Sequence, residues 1–143
     1  MANVFDVAQY ILKQRGPMSA MKLQKLVYYS QAWSLVWDET PLFSEKIEAW
    51  ANGPVVRELF DTHKGQFLVA SVDRGNPNNL KDNEKETIDS VVNFYGDKSA
   101  QWLSDLTHME TPWNEARKGL ADGVNCENEI TLAMMHEYYS SIP

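Results

Sequence analysis

Residues 19–37, SAMKLQKLVYYSQAWSLVW, decide how the rest of the chain must be arranged. Residues at helical spacing form one continuous, mostly apolar stripe, which comprises Leu23, Leu26, Val27, Ser30, Trp33, Ser34 and Trp37. Ser19 is suited to cap the first turn, because a serine oxygen can accept a backbone N–H that has no helical partner. A helix with so much apolar surface is unstable alone. The stretch therefore predicts a central helix that packs against neighbours on more than one side. Four polar residues lie off the stripe and are expected to be free to meet solvent or a partner: Lys22, Gln24, Lys25 and Gln31.

The length and composition fit a single folded unit. The chain has 143 residues, of which 43% are hydrophobic and 23% charged, and we expect residues 1–143 to form one domain. The single cysteine, Cys126, excludes an internal disulfide framework. No eighteen apolar residues run together and the N-terminus has no signal-peptide pattern, so the sequence predicts a cytoplasmic protein without a membrane span.

The net charge of −7 is unevenly distributed along the chain. Residues 1–65 hold seven acidic and seven basic residues, whereas residues 66–143 hold thirteen acidic and six basic residues. Nucleic-acid binding draws its affinity from lysine and arginine contacts to phosphates, so this balance disfavours a nucleic-acid partner. The acidic half either solubilises the chain or steers it toward a basic partner.

The segments that flank the central helix up to residue 80 show several signals. Asn3 and Asp6 predict a capped first helix that ends at Gly16-Pro17. Residues 45–50 are a helical turn or a short strand, and their sequence does not decide between them. Pro54 is expected at the first position of a helix that runs to about residue 63, after Gly53, which allows a close backbone approach. Residues 67–72, FLVASV, have strand-like composition and could form a hairpin with residues 47–50.

The second half is again predicted to be helical. Asn83 with Glu86 forms a capping box, Ser99 begins another helix, and Thr111 caps a short helix whose first turn contains a proline. Thr131 is the expected cap of a final helix rich in methionine and tyrosine. The predicted fold class is mainly α: a compact bundle of about six to seven helices around a central aromatic-rich helix, with room for a small β hairpin.

Four residues are the candidates for acid–base, nucleophilic or metal chemistry: His63, His108, His136 and Cys126. None stands in a recognisable motif such as H-E-x-x-H or a cysteine pair. A nucleophilic pair of the cysteine with a distant histidine stays open, because any chain that holds both allows it. The sequence predicts no catalytic residue, no metal and no cofactor, and therefore no enzyme. Its five tryptophans favour a core or a protein interface.

Four blocks of the sequence carry a family resemblance: KLQKLVYYSQAW at residues 22–33, PLF at 41–43, IEAWANGPVV at 47–56 and HMETPWNEAR at 108–117. Together they resemble the Panacea domain family, the SocA-like antitoxins associated with phages, from Val7 to Tyr139. The resemblance implies an antitoxin that neutralises a cognate toxin by direct protein–protein binding. Alternatives within the family are an adaptor that delivers a toxin to a protease, and a phage or mobile-element defence or counter-defence binding protein.

The resemblance and the residues together suggest which side chains contact the partner. We expect a toxin protein, for which the acidic half favours a basic surface, to contact Lys22, Lys25, Tyr29, Trp50 and Arg57. An unrecognised enzyme and a DNA-binding regulator are the remaining alternatives, and three basic residues are too few to favour the second.

Overall fold

The computed structural model describes residues 2–121 and 123–142. In chain order the elements are α1 (Val4–Arg15), β1 (Met18–Ser19), α2 (Ala20–Trp37), β2 (Ile47–Trp50), β3 (Gly53–Val56), α3 (Arg57–His63), β4 (Leu68–Val69), a 3-10 turn (Pro77–Asn79), α4 (Asp82–Tyr95), α5 (Ala100–His108), α6 (Thr111–Ala116), β5 (Glu129–Ile130) and α7 (Leu132–Ser141). The prediction of a mainly α fold around the aromatic-rich helix, with a small β hairpin, is confirmed.

Helix α2 lies at the centre and packs against α1, α4, α5, α7 and β3. The expectation that polar residues of this helix meet solvent is wrong for three of them. Gln24, Lys25 and Gln31 are 3%, 1% and 0% exposed. Their polar groups bind backbone that crosses the helix. Gln31, for example, accepts the N–H of Leu42 at 2.7 Å and donates to the carbonyl of Phe43 at 2.9 Å. A helix surrounded on all sides buries its polar residues as well, and each then needs a partner.

Side-chain caps begin several of the helices as predicted. Asn3 accepts the N–H of Asp6 at 3.0 Å and donates its own N–H to that carboxylate at 2.9 Å, a reciprocal capping box. Ser19, Ser99 and Thr131 each accept a backbone N–H of the first turn.

Two predicted helix starts are wrong by one or two residues. A capping box of Asn83 and Glu86 would require α4 to begin at residue 84. The helix begins instead at Asp82, and the N–H of Lys81 donates to Glu84 at 2.7 Å. Thr111 is the first residue of α6 rather than its cap, because the cap position belongs to Glu110.

The β elements correct a further prediction. Strands β2 and β3 form an antiparallel hairpin with Ala49 opposite Pro54, and β5 pairs with the other edge of β2. Pro54 therefore lies in a strand, and the helix begins only at Arg57. A proline is tolerated here because β3 is an edge strand, where a missing N–H breaks no ladder. Residues 45–50, which the sequence left undecided, contain β2.

Residues 67–72 do not form the hairpin with residues 47–50 that the sequence allowed. Leu68 and Val69 instead pair with Met18 and Ser19, which joins β4 to the start of α2. No helix in the described residues is long and apolar enough to cross a membrane.

Candidate functional site

A pocket of about 530 Å³ opens beside the β2–β3 hairpin, a volume typical of ligand sites. Its walls come from the first two turns of α2, the hairpin, α3 and residues 125–127. The residues that carry its chemistry are Lys25, Trp50, Arg57, Phe60, His63 and Cys126. We call it the hairpin pocket.

The hairpin pocket brings together three of the five residues expected to contact a partner: Lys25, Trp50 and Arg57. Lys22 does not line it; it is half-buried, and its charged neighbours are Arg15 and Asp97. Burial, together with Arg15, lowers the pKa of Lys22. Tyr29 also lies outside the pocket, fully buried in the core. Lys25 and Tyr29 are 1% and 0% exposed, so neither lies on the open surface. Of the two, only Lys25 borders the hairpin pocket, as part of its inner wall.

Lys25 is a buried amine in the pocket wall. Its Nζ donates to the carbonyl of Pro54 at 3.2 Å, and its side chain is 1% exposed. Burial lowers the pKa of Lys25 from 10.5 to about 7. The side chain fits only because residue 53 is glycine: with φ +120°, a Cβ there would lie 2.5 Å from Lys25 Cε. The predicted close approach at Gly53 is thus confirmed, with Lys25 as the neighbour.

Lys25 and its neighbour Gln24 together complete the free edge of β3. Gln24 Oε1 accepts the N–H of Val56 at 2.9 Å, and Gln24 Nε2 donates to the carbonyl of Val56 at 3.3 Å. Lys25 donates to Pro54 two residues earlier. An unpaired strand edge near the core needs such partners, and α2 supplies them from side chains.

Arg57 and two glutamates form the mouth of the pocket. The Arg57 guanidinium donates to Glu48 at 3.1 Å and to Glu127 at 2.6 Å, and it lies 5.2 Å from the centre of the Trp50 ring. The hydrogen bond to Glu48 raises the pKa of Arg57 above its ordinary value. Trp50 is fixed in turn, because its Nε1 donates to Glu48 at 2.8 Å and its ring meets Phe60 edge-on at 4.9 Å.

His63 contributes a neutral imidazole. Because the amide of Gln24 is oriented by both backbone groups of Val56, its Nε2 must donate to His63 Nε2 at 3.0 Å, which makes that nitrogen an acceptor. Burial lowers the pKa of His63, in agreement with a neutral ring. Cys126 lies in the same pocket, buried, with its Sγ accepting the N–H of Asn128 at 3.4 Å. The lone pair of His63 Nε2 is thus engaged by Gln24 and does not activate the thiol.

The hairpin is held from behind by α5, by α6 and by Arg117, which follows α6. Ser104 donates to the carbonyl of Asn52 at 2.6 Å, and Trp113 Nε1 donates to the carbonyl of Trp50 at 2.8 Å. Arg117, 3% exposed, donates to the carbonyls of Ala49, Ala121 and Val124. These contacts tie the loop before residues 125–127 to β2 and so position the far wall of the pocket.

Tyr29 belongs to a second polar cluster, in the core between α2, α4 and α7. Tyr29 and Tyr139 both donate to Glu110 Oε1 at 2.7 Å, and Tyr28 and Tyr139 share a hydrogen bond of 3.0 Å. Burial raises the pKa of Glu110, and the two tyrosine hydrogen bonds oppose that rise. Tyr95 stacks on Tyr29 at 4.3 Å and accepts from an indole N–H. The tyrosines and Glu110 of this network are buried, and their hydrogen bonds join α2 and α7 to the start of α6.

Sequence reasoning named Gln24 and His63 without placing them beside Lys25, and it missed Phe60 and Glu127 as pocket residues. One signal was present, since Met21, Gln24 and Lys25 stand at i, i+3 and i+4 and must share a helix face. No group of three or more His, Cys, Asp or Glu side chains suited to a metal occurs in the described residues. His136 is exposed, and His108 stacks on Trp113 with ring centres 4.0 Å apart.

The comparison with known proteins concerns the part of the sequence that carries the family resemblance. The family model described as antitoxin SocA-like, Panacea domain, matches residues 23–114, well over half of the chain. The match includes α2, the hairpin and α3, and hence most of the pocket wall. Neither curated proteins nor solved structures gave a match. The chain therefore belongs to the family of SocA-like antitoxins with a Panacea domain.

Proposed function

We propose that this protein is an antitoxin that binds a cognate toxin directly and does so over the mouth of the hairpin pocket. The observation that carries the proposal is the family match over residues 23–114, which contains all the residues that line the pocket except Ala20, Met21 and residues 125–127. The proposed role is binding rather than catalysis.

The composition of the mouth supports this choice of surface. Binding energy at protein interfaces concentrates in tryptophan, tyrosine and arginine that sit in pockets and lose water on contact. Trp50 and Phe60 are half-buried here, and the Arg57 side chain is 43% exposed. Both Trp50 and Arg57 are already oriented by Glu48, so little side-chain entropy is lost when a partner binds. Such a surface is pre-organised.

The test uses the protein encoded by the gene next to this one as the candidate toxin. Co-expression is expected to restore growth, and the two purified proteins are expected to form a stable complex. Trp50→Ala and Arg57→Ala are each expected to weaken the complex at least about tenfold with an unchanged circular dichroism spectrum. Lys13→Ala on the exposed side of α1 is the matched control and should bind like the parent.

Purified components also separate two ways of neutralising a toxin. If the toxin is inhibited when only the two proteins are present, masking is sufficient and no protease is needed. Inhibition that appears only with a cellular protease would favour the adaptor alternative. A neighbouring product that kills cells equally with and without this protein would refute the antitoxin proposal.

A further inference from the structure

Lys25 is a buried amine for which the described residues provide no counter-ion. The ion pairs of the described residues all involve Arg57, with Glu48 and Glu127 as its partners. Burial lowers the pKa of Lys25, and no carboxylate of the described residues forms an ion pair with it. Buried lysines are normally paired, because an isolated ammonium in an apolar site is costly. When Lys25 is protonated, the wall of the hairpin pocket therefore holds a positive charge that no described carboxylate balances.

The ammonium group also has unused hydrogen-bonding capacity. A protonated lysine carries three N–H donors, and Lys25 uses one of them, toward the carbonyl of Pro54 at 3.2 Å. Gln24, the adjacent side chain, spends its amide on Val56 and His63 and offers Lys25 nothing. Two donors of Lys25 therefore have no acceptor in the described residues.

The other ionisable side chains around the pocket do not compete for an incoming anion. Arg57 is held by two glutamates at the mouth. His63 accepts a hydrogen bond and is neutral. Cys126 is buried with its sulfur against a backbone N–H. Glu127 lines the mouth but is oriented toward Arg57 at 2.6 Å.

The remaining wall is largely apolar and includes Met21, Trp50, Val55 and Phe60. One cation in an apolar recess matches a singly charged carboxylate with apolar neighbours. A phosphate carries a larger charge and more acceptor oxygens than the donors of this pocket can satisfy. A protein segment in which an acidic residue lies beside an apolar one presents the matching chemistry.

From this geometry we infer that the hairpin pocket is a receptor for an aspartate or glutamate side chain of the partner, inserted beside Lys25 with an apolar neighbour against Trp50 and Phe60. The inference deepens the proposed function, since the partner is the toxin that the antitoxin binds. It also adds an acidic anchoring group to a partner surface that the acidic half of the chain favours as basic.

The pocket can be tested without the toxin. The probes are two capped tripeptides, acetyl-Leu-Glu-Leu-amide and acetyl-Leu-Gln-Leu-amide, titrated to 10 mM and followed by the NMR signals of the Trp50 indole and the Gly53 amide. The glutamate peptide is expected to shift both signals at least tenfold more strongly than the glutamine peptide. Equal shifts from the two peptides, or no shift from either, would overturn the inference.

Proton uptake gives a readout that does not depend on any variant. A bound carboxylate raises the pKa of a lysine, so binding at pH 8 should draw close to one proton from solution. Calorimetric titration of the glutamate peptide in two buffers of different ionisation enthalpy measures this number. Lys25→Met should abolish the uptake, and Lys13→Met should leave it unchanged. Binding with no proton uptake by the parent protein would contradict the role of Lys25, even if Lys25→Met failed to fold.

The toxin distinguishes failure of this inference from failure of the proposed function. If the parent protein neutralises the toxin and folded Lys25→Met does so with equal affinity, the antitoxin role stands and the carboxylate receptor is refuted. A loss of at least tenfold in affinity supports both. If the parent protein does not neutralise the toxin, the function fails, while the peptide titration still decides on the pocket.

Discussion

Replacement of Lys25 by methionine should change the pH dependence of stability in a way that no exposed lysine can. Burial lowers the pKa of Lys25 from 10.5 to about 7 in the folded protein, while the unfolded chain keeps the ordinary value. Between these pH values the unfolded chain binds a proton that the folded protein lacks. The free energy of unfolding therefore rises with pH across this window, by about 1.4 kcal/mol per pH unit.

The magnitude follows from two opposing terms. Below about pH 7 the folded protein carries the buried charge, at a cost on the order of 5 kcal/mol that methionine removes. Methionine also removes the hydrogen bond to the Pro54 carbonyl, and an unsatisfied buried carbonyl costs about 1–3 kcal/mol. Lys25→Met should thus be more stable than the parent at pH 6, by about 2 kcal/mol or more, and less stable near pH 10.5. The two stabilities should cross at about pH 9.

The assay is urea unfolding followed by circular dichroism at each pH unit from 6 to 10. The quantity that tests the reasoning is the difference between the two proteins, because the buried tyrosines, whose pKa values are raised, weaken both alike at the alkaline end. Lys13→Met serves as the control, since Lys13 lies exposed on α1, and its difference from the parent should not vary with pH. A constant difference between Lys25→Met and the parent from pH 6 to 10 would refute the burial of an unpaired charge at this site.

Two further substitutions test the core and the hairpin. Glu110→Ala should lose about 3 kcal/mol of stability, because the hydroxyl groups of Tyr29 and Tyr139 both donate to this carboxylate and would be left unpaired. Glu110→Gln keeps an acceptor oxygen and should lose less than half as much in urea unfolding; equal losses would show that the hydrogen bonds contribute little. Gly53→Ala should cost at least about 2 kcal/mol in the same assay, because alanine is strained at φ +120° and its Cβ would meet the Lys25 side chain. Combining Gly53→Ala with Lys25→Ala should recover part of that loss, and purely additive costs would contradict the contact.

Local signals predicted the helical part of the fold well. The caps at Asn3, Ser19, Ser99 and Thr131 depend on a few neighbouring residues, and all four occur as expected. The prediction that a helix begins at Pro54 is wrong, and the reason is also local. Its fixed φ suits both a helix start and an edge strand, and only the pairing of β3 with β2 decides between them. That pairing is not encoded in the proline itself.

The pocket was less accessible to sequence reasoning because it depends on contacts between distant segments. Trp50 and Arg57, which were expected to contact a partner, line one pocket with Lys25. The pattern of polar and apolar residues, however, placed Lys25 in solvent. It sits instead beneath an edge strand that lies about thirty positions later in the chain. Residues 125–127, which close the far wall, are held there by the three carbonyls that Arg117 binds and by the ion pair of Glu127 with Arg57. No periodicity within one segment of the sequence indicates that these distant segments meet around the pocket.

The fold itself does not account for a cation at position 25. Gln24 binds the edge of β3 with a neutral amide, at a far lower desolvation cost than a charged amine incurs beside it. The carbonyl of Pro54 needs only one donor, whereas Lys25 brings three and a charge that nothing in the described residues balances. A side chain that destabilises the free protein and finds its missing hydrogen-bond acceptors only on a partner is typical of a binding site. Residues at such sites are often unfavourable for folding, and their favourable contacts form in the complex. The carboxylate of a partner supplies both the charge and the acceptors that Lys25 lacks.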